Sequence, residues 1–270
     1  MLQPTLILTP EQIEFFHRNG YLTLDAITSA DEVIRLQETY DRIFAARAGR
    51  AEGDHLDLVT TDEDDQESVL PQILNPSKYA PELIDTQLRV NAAAIAQQLL
   101  GDAAAFHGDH AIRKPAASGV ETPWHQDEAY WDADKEYNAI SIWVPLQEAT
   151  LENGCMQFVP GVPQQEVLPH HPIGHDPRVI GLEVDNPAQW SQQAVACPLP
   201  PGGATIHHSR TLHFTGANYS SRPRRAYIMA FGAPSKQRAI ARDFYWLRMQ
   251  KTKWHERAEA AQRKNDESGM

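Results

Sequence analysis

The 270-residue sequence changes texture at Gly101, and that change limits the fold more than any other feature. Upstream, apolar residues recur at helical spacing. Thr9-Pro10-Glu11-Gln12 predicts a helix start, with Thr9 as N-cap, Pro10 at the first helical position and Gln12 at the capping-box position. Ile13, Phe15 and Phe16 supply its apolar face, Asn19-Gly20 ends it, and residues 21–24 read as a short strand. Val33, Ile34, Leu36, Tyr40, Ile43 and Phe44 mark a second helix that starts near Ser29 or Asp31 and runs out by Gly49. Residues 51–66, acidic and polar, read as a solvated loop, and residues 69–74 as extended chain. A third helical region covers residues 81–100, with Leu83, Ile84, Leu88, Val90, Ala94, Ile95 and Leu99 as its core positions.

Downstream of Gly101, short β-like runs alternate with Pro/Gly turns, at residues 104–112, 139–146, 155–159, 194–197, 204–208 and 225–231. Many short strands without intervening helices indicate a sandwich or barrel rather than a parallel βαβ sheet. No low-complexity linker separates the halves. The expectation is one α+β domain over residues 1–270: a helical part (about 1–100) packed outside a jelly-roll core (about 101–235), then a charged C-terminal helix and tail (about 236–270).

Charge and hydropathy exclude several classes of partner. A net charge of −12 argues against a nucleic-acid surface, which needs clustered Lys and Arg, although a small anion could still be held by a local basic residue. No apolar run is long enough for a membrane span. The first nine residues lack the basic start and apolar stretch of a secretory signal, so a cytoplasmic protein acting on a small molecule is expected. Cys155 and Cys197 are isolated and read as small buried hydrophobes rather than a disulfide or a thiol site.

Thr122-Pro123-Trp124-His125-Gln126-Asp127 carries the strongest chemical signal. In extended chain, residues two apart share a face, so His125 and Asp127 can reach one metal ion. A third ligand must come from elsewhere, and twelve histidines compete for the place. His170, His171 and His175 sit in a Pro-rich loop and read as solvent-facing or lid residues. His107 and His110 lie in a strand-like run, where a structural role is the simpler reading and one of them could face a pocket. His207 and His208 are adjacent and face opposite ways in a strand, and His255 lies in the charged tail. His213 remains. Spacing alone does not single it out; Arg222, Arg224 and Arg225, crowded together just after it in an acidic chain, do. An inward guanidinium binds a carboxylate through a two-pronged ion pair, whereas an outward one belongs to a solvated turn. Two histidines and a carboxylate with open positions make the facial triad of non-haem Fe(II) oxygenases, and a zinc hydrolase can use similar ligands. The carboxylate-binding arginine tips the balance toward iron with a keto acid.

These segments together resemble the phytanoyl-CoA dioxygenase family of Fe(II)/2-oxoglutarate-dependent oxygenases, over residues 9–231 and most strongly from Thr122 onward. Trp124-His125-Gln126-Asp127 is similar to the family's W-H-x-D segment. Residues 139–146, Glu152-Asn153-Gly154-Cys155-Met156 and Val159-Pro160-Gly161 resemble its strand, E-N-G-C turn and P-G step, and His213, Thr215, Asn218 and Arg224 its distal pattern. The resemblance implies a double-stranded β-helix, cupin-like core. It makes His125, Asp127 and His213 the iron ligands and sets Arg224 on the distal carboxylate of 2-oxoglutarate with Thr215 as a hydroxyl partner. Arg222 or Arg225 takes that place if the turn differs by a residue. Trp131 falls where the family has an aromatic lining the pocket, and Lys114 either meets an anion or lies on the surface.

The implied cofactors are Fe(II), 2-oxoglutarate and O2. The implied reaction is oxidation, foremost hydroxylation, of an unactivated C–H, with release of succinate and CO2. Related halogenases lack the carboxylate ligand, which Asp127 supplies here. Two departures stand out: Val162-Pro163 where the family continues Ser-His, at the start of a loop over residues 162–193 expected at the pocket mouth, and Pro200-Pro201-Gly202-Gly203 where Gly-Asp is usual. The rival readings are a zinc-dependent hydrolase on a cupin-like barrel and a non-catalytic jelly-roll binding module.

Overall fold

The computed structural model describes residues 2–64, 66–161 and 166–268. Its N-terminal helices begin where the capping residues place them. α1 (Pro10–Asn19) has Thr9 as N-cap in a reciprocal capping box with Gln12, and Gly20 closes it in the left-handed conformation (φ 80°) that glycine adopts without steric cost. α2 (Ala30–Ala45) is capped by Ser29. The third helical region is broken: α3 (Pro76–Tyr79) and a 3₁₀ turn precede α4 (Gln87–Leu100), which is capped by Thr86. Ile84 falls in the break and is exposed rather than in the core.

The strands form two antiparallel sheets. The larger runs β1 (Tyr21–Leu24), β12 (Ala204–His208), β7 (Ala139–Pro145), β14 (Arg224–Gly232), β4 (Ala105–Lys114), β3 (Pro71–Leu74) and β2 (His55–Asp57). The smaller runs β11 (Val195–Cys197), β8 (Met156–Phe158), β13 (His213–Thr215) and β5 (Thr122–His125). Two two-stranded sheets pair β9 (His170–Pro172) with β10 (Leu182–Val184) and β6 (Lys135–Glu136) with β15 (Lys236–Gln237).

Both faces of the large sheet are covered, which is why β7 is buried along its whole length instead of alternating. Ile140, Ile142 and Val144 belong to one apolar cluster with Phe16, Leu36, Tyr40, Ile43, Leu88 and Ile95 of the helices. Between them in sequence, Trp143 joins Tyr21, Met156, Phe158 and Ala226 in a second cluster toward the small sheet. The helices thus pack on the outside of a jelly-roll core, in agreement with the α+β expectation. Cys155 and Cys197 are buried and unbridged. Among the described residues no helix is long and apolar enough to cross a membrane.

Three segments differ from their compositional reading. Residues 51–66 are not simply a solvated loop, because several of their acids have partners. Asp57 is buried in β2 and accepts hydrogen bonds from the backbone amides of Val59, Thr60, Val69 and Leu70, while buried Asp62 is clamped between Arg50 and Arg257. The segment expected as a loop over residues 162–193 contains β9, β10 and the short α5 (Ala188–Ser191); Val162 and Pro163 lie outside the described residues. Finally, after α6 (Tyr245–Met249), the charged C-terminus forms α7 (Lys253–Ser268), whose first turn is docked: the Trp254 indole donates to the Gly53 carbonyl (2.7 Å). A Cβ on Gly53 would stand 3.0 Å from the Ala258 backbone, so close approach of helix and turn requires glycine there.

Candidate metal centre

Strand register assembles the site. In the small sheet His213 of β13 pairs directly with His125 of β5, which puts the two imidazoles 4.2 Å apart, centroid to centroid. Pairing stops at His125 and Asp127 opens a 3₁₀ turn, but Gln126 between them stays extended (φ −120°, ψ 132°), so His125 and Asp127 still share a face. Ligand atoms of His125, Asp127 and His213 lie within 4.8 Å of one another. Asp127 Oδ1 is 3.9 Å from His125 Nε2 and 3.5 Å from His213 Nε2. Donors about 2.1 Å from one ion sit about 3 Å apart in adjacent positions, so Asp127 Oδ1 stands within about 1 Å of ligand spacing from each imidazole.

The surrounding bonds prepare these atoms to ligate. Nδ1 of His125 bonds to the Pro123 carbonyl and Nδ1 of His213 to the Thr211 carbonyl, each at 2.8 Å. Donation there fixes the tautomer and leaves both Nε2 lone pairs facing the site. Asp127 Oδ2 accepts from Ser141 Oγ (2.6 Å) and faces His207 Nε2 (3.2 Å), which leaves Oδ1 for a metal. Burial opposes the charge on Asp127, but His213, His207 and His125 more than offset it and hold the carboxyl far below its usual range. Burial pushes the His125 imidazole down and His213 further still. Neutral imidazoles beside an ionised carboxylate are the protonation states a divalent cation needs.

Gln126, the residue between the two ligands, is fully buried and pins the turn. Its side chain donates to the Arg210 carbonyl (2.6 Å) and accepts from the Leu168 amide (2.7 Å), and its own amide donates to His170 Nε2 (3.2 Å). His170 is therefore not solvent-facing: it is wholly buried behind the ligand strand, and burial lowers it to about 3. His207 and His208 do face opposite ways, as adjacent strand residues must, and His207 is the inner one. Sequence reasoning missed Ser141, His207, Gln126 and His170 as supports. Of these, only the alternation along β7 and β12 could have indicated Ser141 and His207.

Of the three crowded arginines, Arg224 is the inward one. It is 1% exposed, and its Nε and Nη1 have no hydrogen-bond partner among the described residues, with the guanidinium 5.3 Å from the Trp143 ring centroid. Burial lowers it to about 10. Arg225 instead makes a two-pronged pair with Asp41 at 2.8 Å, and Arg222 lies in the exposed turn. Thr215 Oγ1, also buried, has no partner among the described residues either. Lys114 is not a surface lysine: it is fully buried opposite Arg224 in the strand register and donates to the carbonyls of Thr215 (3.0 Å) and Gly216 (2.5 Å). Burial, and then Arg224, push its ammonium well below the ordinary value. It ties the end of β13, and with it His213 and Thr215, to β4.

One cavity of about 470 Å³ joins these groups. His125, Asp127 and His213 lie on its wall with Thr215 and Arg224, and Trp131 lines it too, edge-on to Tyr137 with 4.9 Å between centroids. A buried guanidinium and hydroxyl without partners, in the same cavity as a His/Asp/His cluster, fit the far carboxylate of a dicarboxylate chelating at the metal.

The sequence model of the phytanoyl-CoA dioxygenase family matches residues 16–226. The chain belongs to that family. The crystal structure of EvdO2 from Micromonospora carbonacea var. aurantiaca, complexed with 2-oxoglutarate, is 36% identical, with a TM-score of 0.77 over 91% of this chain and 99% of its own. A probable alpha-ketoglutarate-dependent hypophosphite dioxygenase of Stutzerimonas stutzeri is 26% identical over 83% of this chain and 78% of its own. The phytanoyl-CoA dioxygenase of Arabidopsis thaliana is 23% identical over 82% and 88%. The cupin-like jelly roll is the fold of this group.

Proposed function

We propose that the protein is an Fe(II)/2-oxoglutarate-dependent dioxygenase that hydroxylates an unactivated C–H of a small molecule. The observation that carries the reading is Arg224, a fully buried guanidinium with two nitrogens unpartnered among the described residues, in the same cavity as the His125/Asp127/His213 cluster. A zinc hydrolase would leave that buried cation without purpose, and a binding module would need neither it nor the triad.

In this reading His125, Asp127 and His213 hold the iron through Nε2, Oδ1 and Nε2. Arg224 and Thr215 bind the distal carboxylate of 2-oxoglutarate, which fixes the keto acid's orientation before O2 enters. When bound, iron with 2-oxoglutarate and O2 supplies the oxidising chemistry, and the keto acid leaves as succinate and CO2. Ser141 and His207 hold Asp127 Oδ2 so that only Oδ1 is presented. The Pro123 and Thr211 carbonyls keep both imidazoles in the ligating tautomer. Trp131, Trp143 and Phe231 on the cavity wall exclude water from the reacting centre. Asp127 fills a position that a halide would otherwise need, which supports hydroxylation over halogenation.

Succinate release with Fe(II), 2-oxoglutarate and O2 tests the reading. The wild type should form succinate slowly alone and faster with substrate, and His125→Ala should form none. Substrate-stimulated succinate from His125→Ala would refute the assignment.

A further inference from the structure

Beyond the proposed metal and keto-acid positions, the cavity wall carries hydrogen-bonding groups with no partner among the described residues. Gln72 is buried on β3, and its side-chain amide bonds to nothing among the described residues; nor does the half-buried His110 on β4. Asn75 and His107, at the exposed rim, have no side-chain hydrogen bond among the described residues. From α7, His255 bonds Thr252 Oγ1 through Nδ1 (2.8 Å), while its Nε2 has no partner among the described residues. Buried polar groups of this kind need a hydrogen-bonding partner, from water or from a ligand. Trp131, Tyr137 and Trp254 supply apolar faces between them.

Gln72 and Asn75 are uncharged amides. Burial lowers His110 and His255, which keeps both rings neutral. Among the described lining residues the only Asp, Glu, Lys or Arg are Asp127 and Arg224, both committed to the metal and the keto acid in the reading above. The nearby Lys114 is engaged by two carbonyls. An anion such as hypophosphite, or a phosphate-bearing thioester such as phytanoyl-CoA, would meet no free cation on this wall and would enter a molecule of net charge −12. Burying an unpaired charge is far more costly than burying a hydroxyl that finds a partner.

We infer that the substrate is an uncharged molecule bearing hydroxyl or carbonyl groups on an apolar frame, recognised by Gln72 and His110 from the sheet and by His255 from α7. The inference rests on the oxygenase reading for the assignment of Asp127 and Arg224. It also gives the docked C-terminal helix a role. The Asp62 clamp on Arg50 and Arg257 and the Trp254–Gly53 bond hold α7 against the mouth, so that His255 completes the wall.

Anaerobic calorimetric titration of the Fe(II) protein tests it, first with 2-oxoglutarate and then with matched probes: methyl shikimate against shikimate, and myo-inositol against its monophosphate. The neutral member of each pair should bind at least about tenfold more tightly, and His255→Ala should weaken that binding by about tenfold while leaving 2-oxoglutarate affinity unchanged. Gln72→Leu provides a second variant with the same expectation if His255→Ala fails to fold. Charged members binding as well as the neutral ones, no neutral probe binding at millimolar concentration, or variants that bind like wild type would overturn the inference. Failure of 2-oxoglutarate itself to bind would count against the oxygenase reading instead, and is seen in the first titration.

Discussion

Arg224→Met should make the protein more stable without its cosubstrate and nearly blind to it. At 1% exposure the guanidinium has no solvent to screen it, and burial lowers it to about 10 from an ordinary 12.5. That corresponds to a cost of about 3 kcal/mol for keeping it charged. The sign follows from linkage: a base whose folded value is depressed destabilises the fold in full below that value, so the whole cost applies at pH 7. Methionine has a similar reach and no charge, and it forfeits the Trp143 cation–π contact, worth about 1 kcal/mol. The net gain is about 2 kcal/mol, or about 5 °C in melting temperature for a chain of this size. Adding 2-oxoglutarate with a divalent metal should reverse the order. Two charge-assisted hydrogen bonds, each contributing about 1.5–3 kcal/mol, separate the proteins by a factor of about 10² to 10⁴ in affinity. Differential scanning fluorimetry across a 2-oxoglutarate series reads both effects. A variant that melts lower than wild type without 2-oxoglutarate, or is stabilised by it as strongly, would refute the account of Arg224.

Acid should destabilise the fold from about pH 6.5 downward. Burial holds His55 at about 4 and His170 at about 3, so only the unfolded chain binds these protons between about pH 6.5 and those values; stability is full above that window and falls through it. From pH 7 to pH 5 His170 alone should remove about 2 kcal/mol, measured by urea unfolding at the two pH values, and a flat profile would contradict its burial. Gly154→Ala should cost at least about 2 kcal/mol in the same assay, because a left-handed φ of +84° and a Cβ only 2.3 Å from the Gly216 carbonyl leave no room for a side chain. Since Gly216 accepts from Lys114, 2-oxoglutarate affinity should fall in that variant as well.

Local features were legible in the sequence because local physics determines them. The Thr9/Gln12 box, the Ser29 cap and the Gly20 stop lie within one turn of the helices they bound. His125 and Asp127 were readable as a pair because extended chain relates residues two apart. His213 was harder: its place opposite His125 is a register between distant strands, and only the arginine cluster beyond it singled it out. Burial of charge was the least legible. Asp62 looks like one more acid in a polar stretch, and its clamp comes from Arg257, 195 residues away. Lys114 reads as surface until the register places it opposite Arg224 beneath two carbonyls. His170, in a Pro-rich segment, gave no sign that it would accept the amide of Gln126 behind the ligand strand.

Anaerobic titration of the metal-free protein with Fe(II) and then 2-oxoglutarate tests the central claim most directly. The account predicts a visible charge-transfer band from the Fe(II)–keto-acid complex that saturates at one equivalent of each and is absent in His213→Ala. A protein that binds zinc tightly and develops no such band with Fe(II) and saturating 2-oxoglutarate would contradict it.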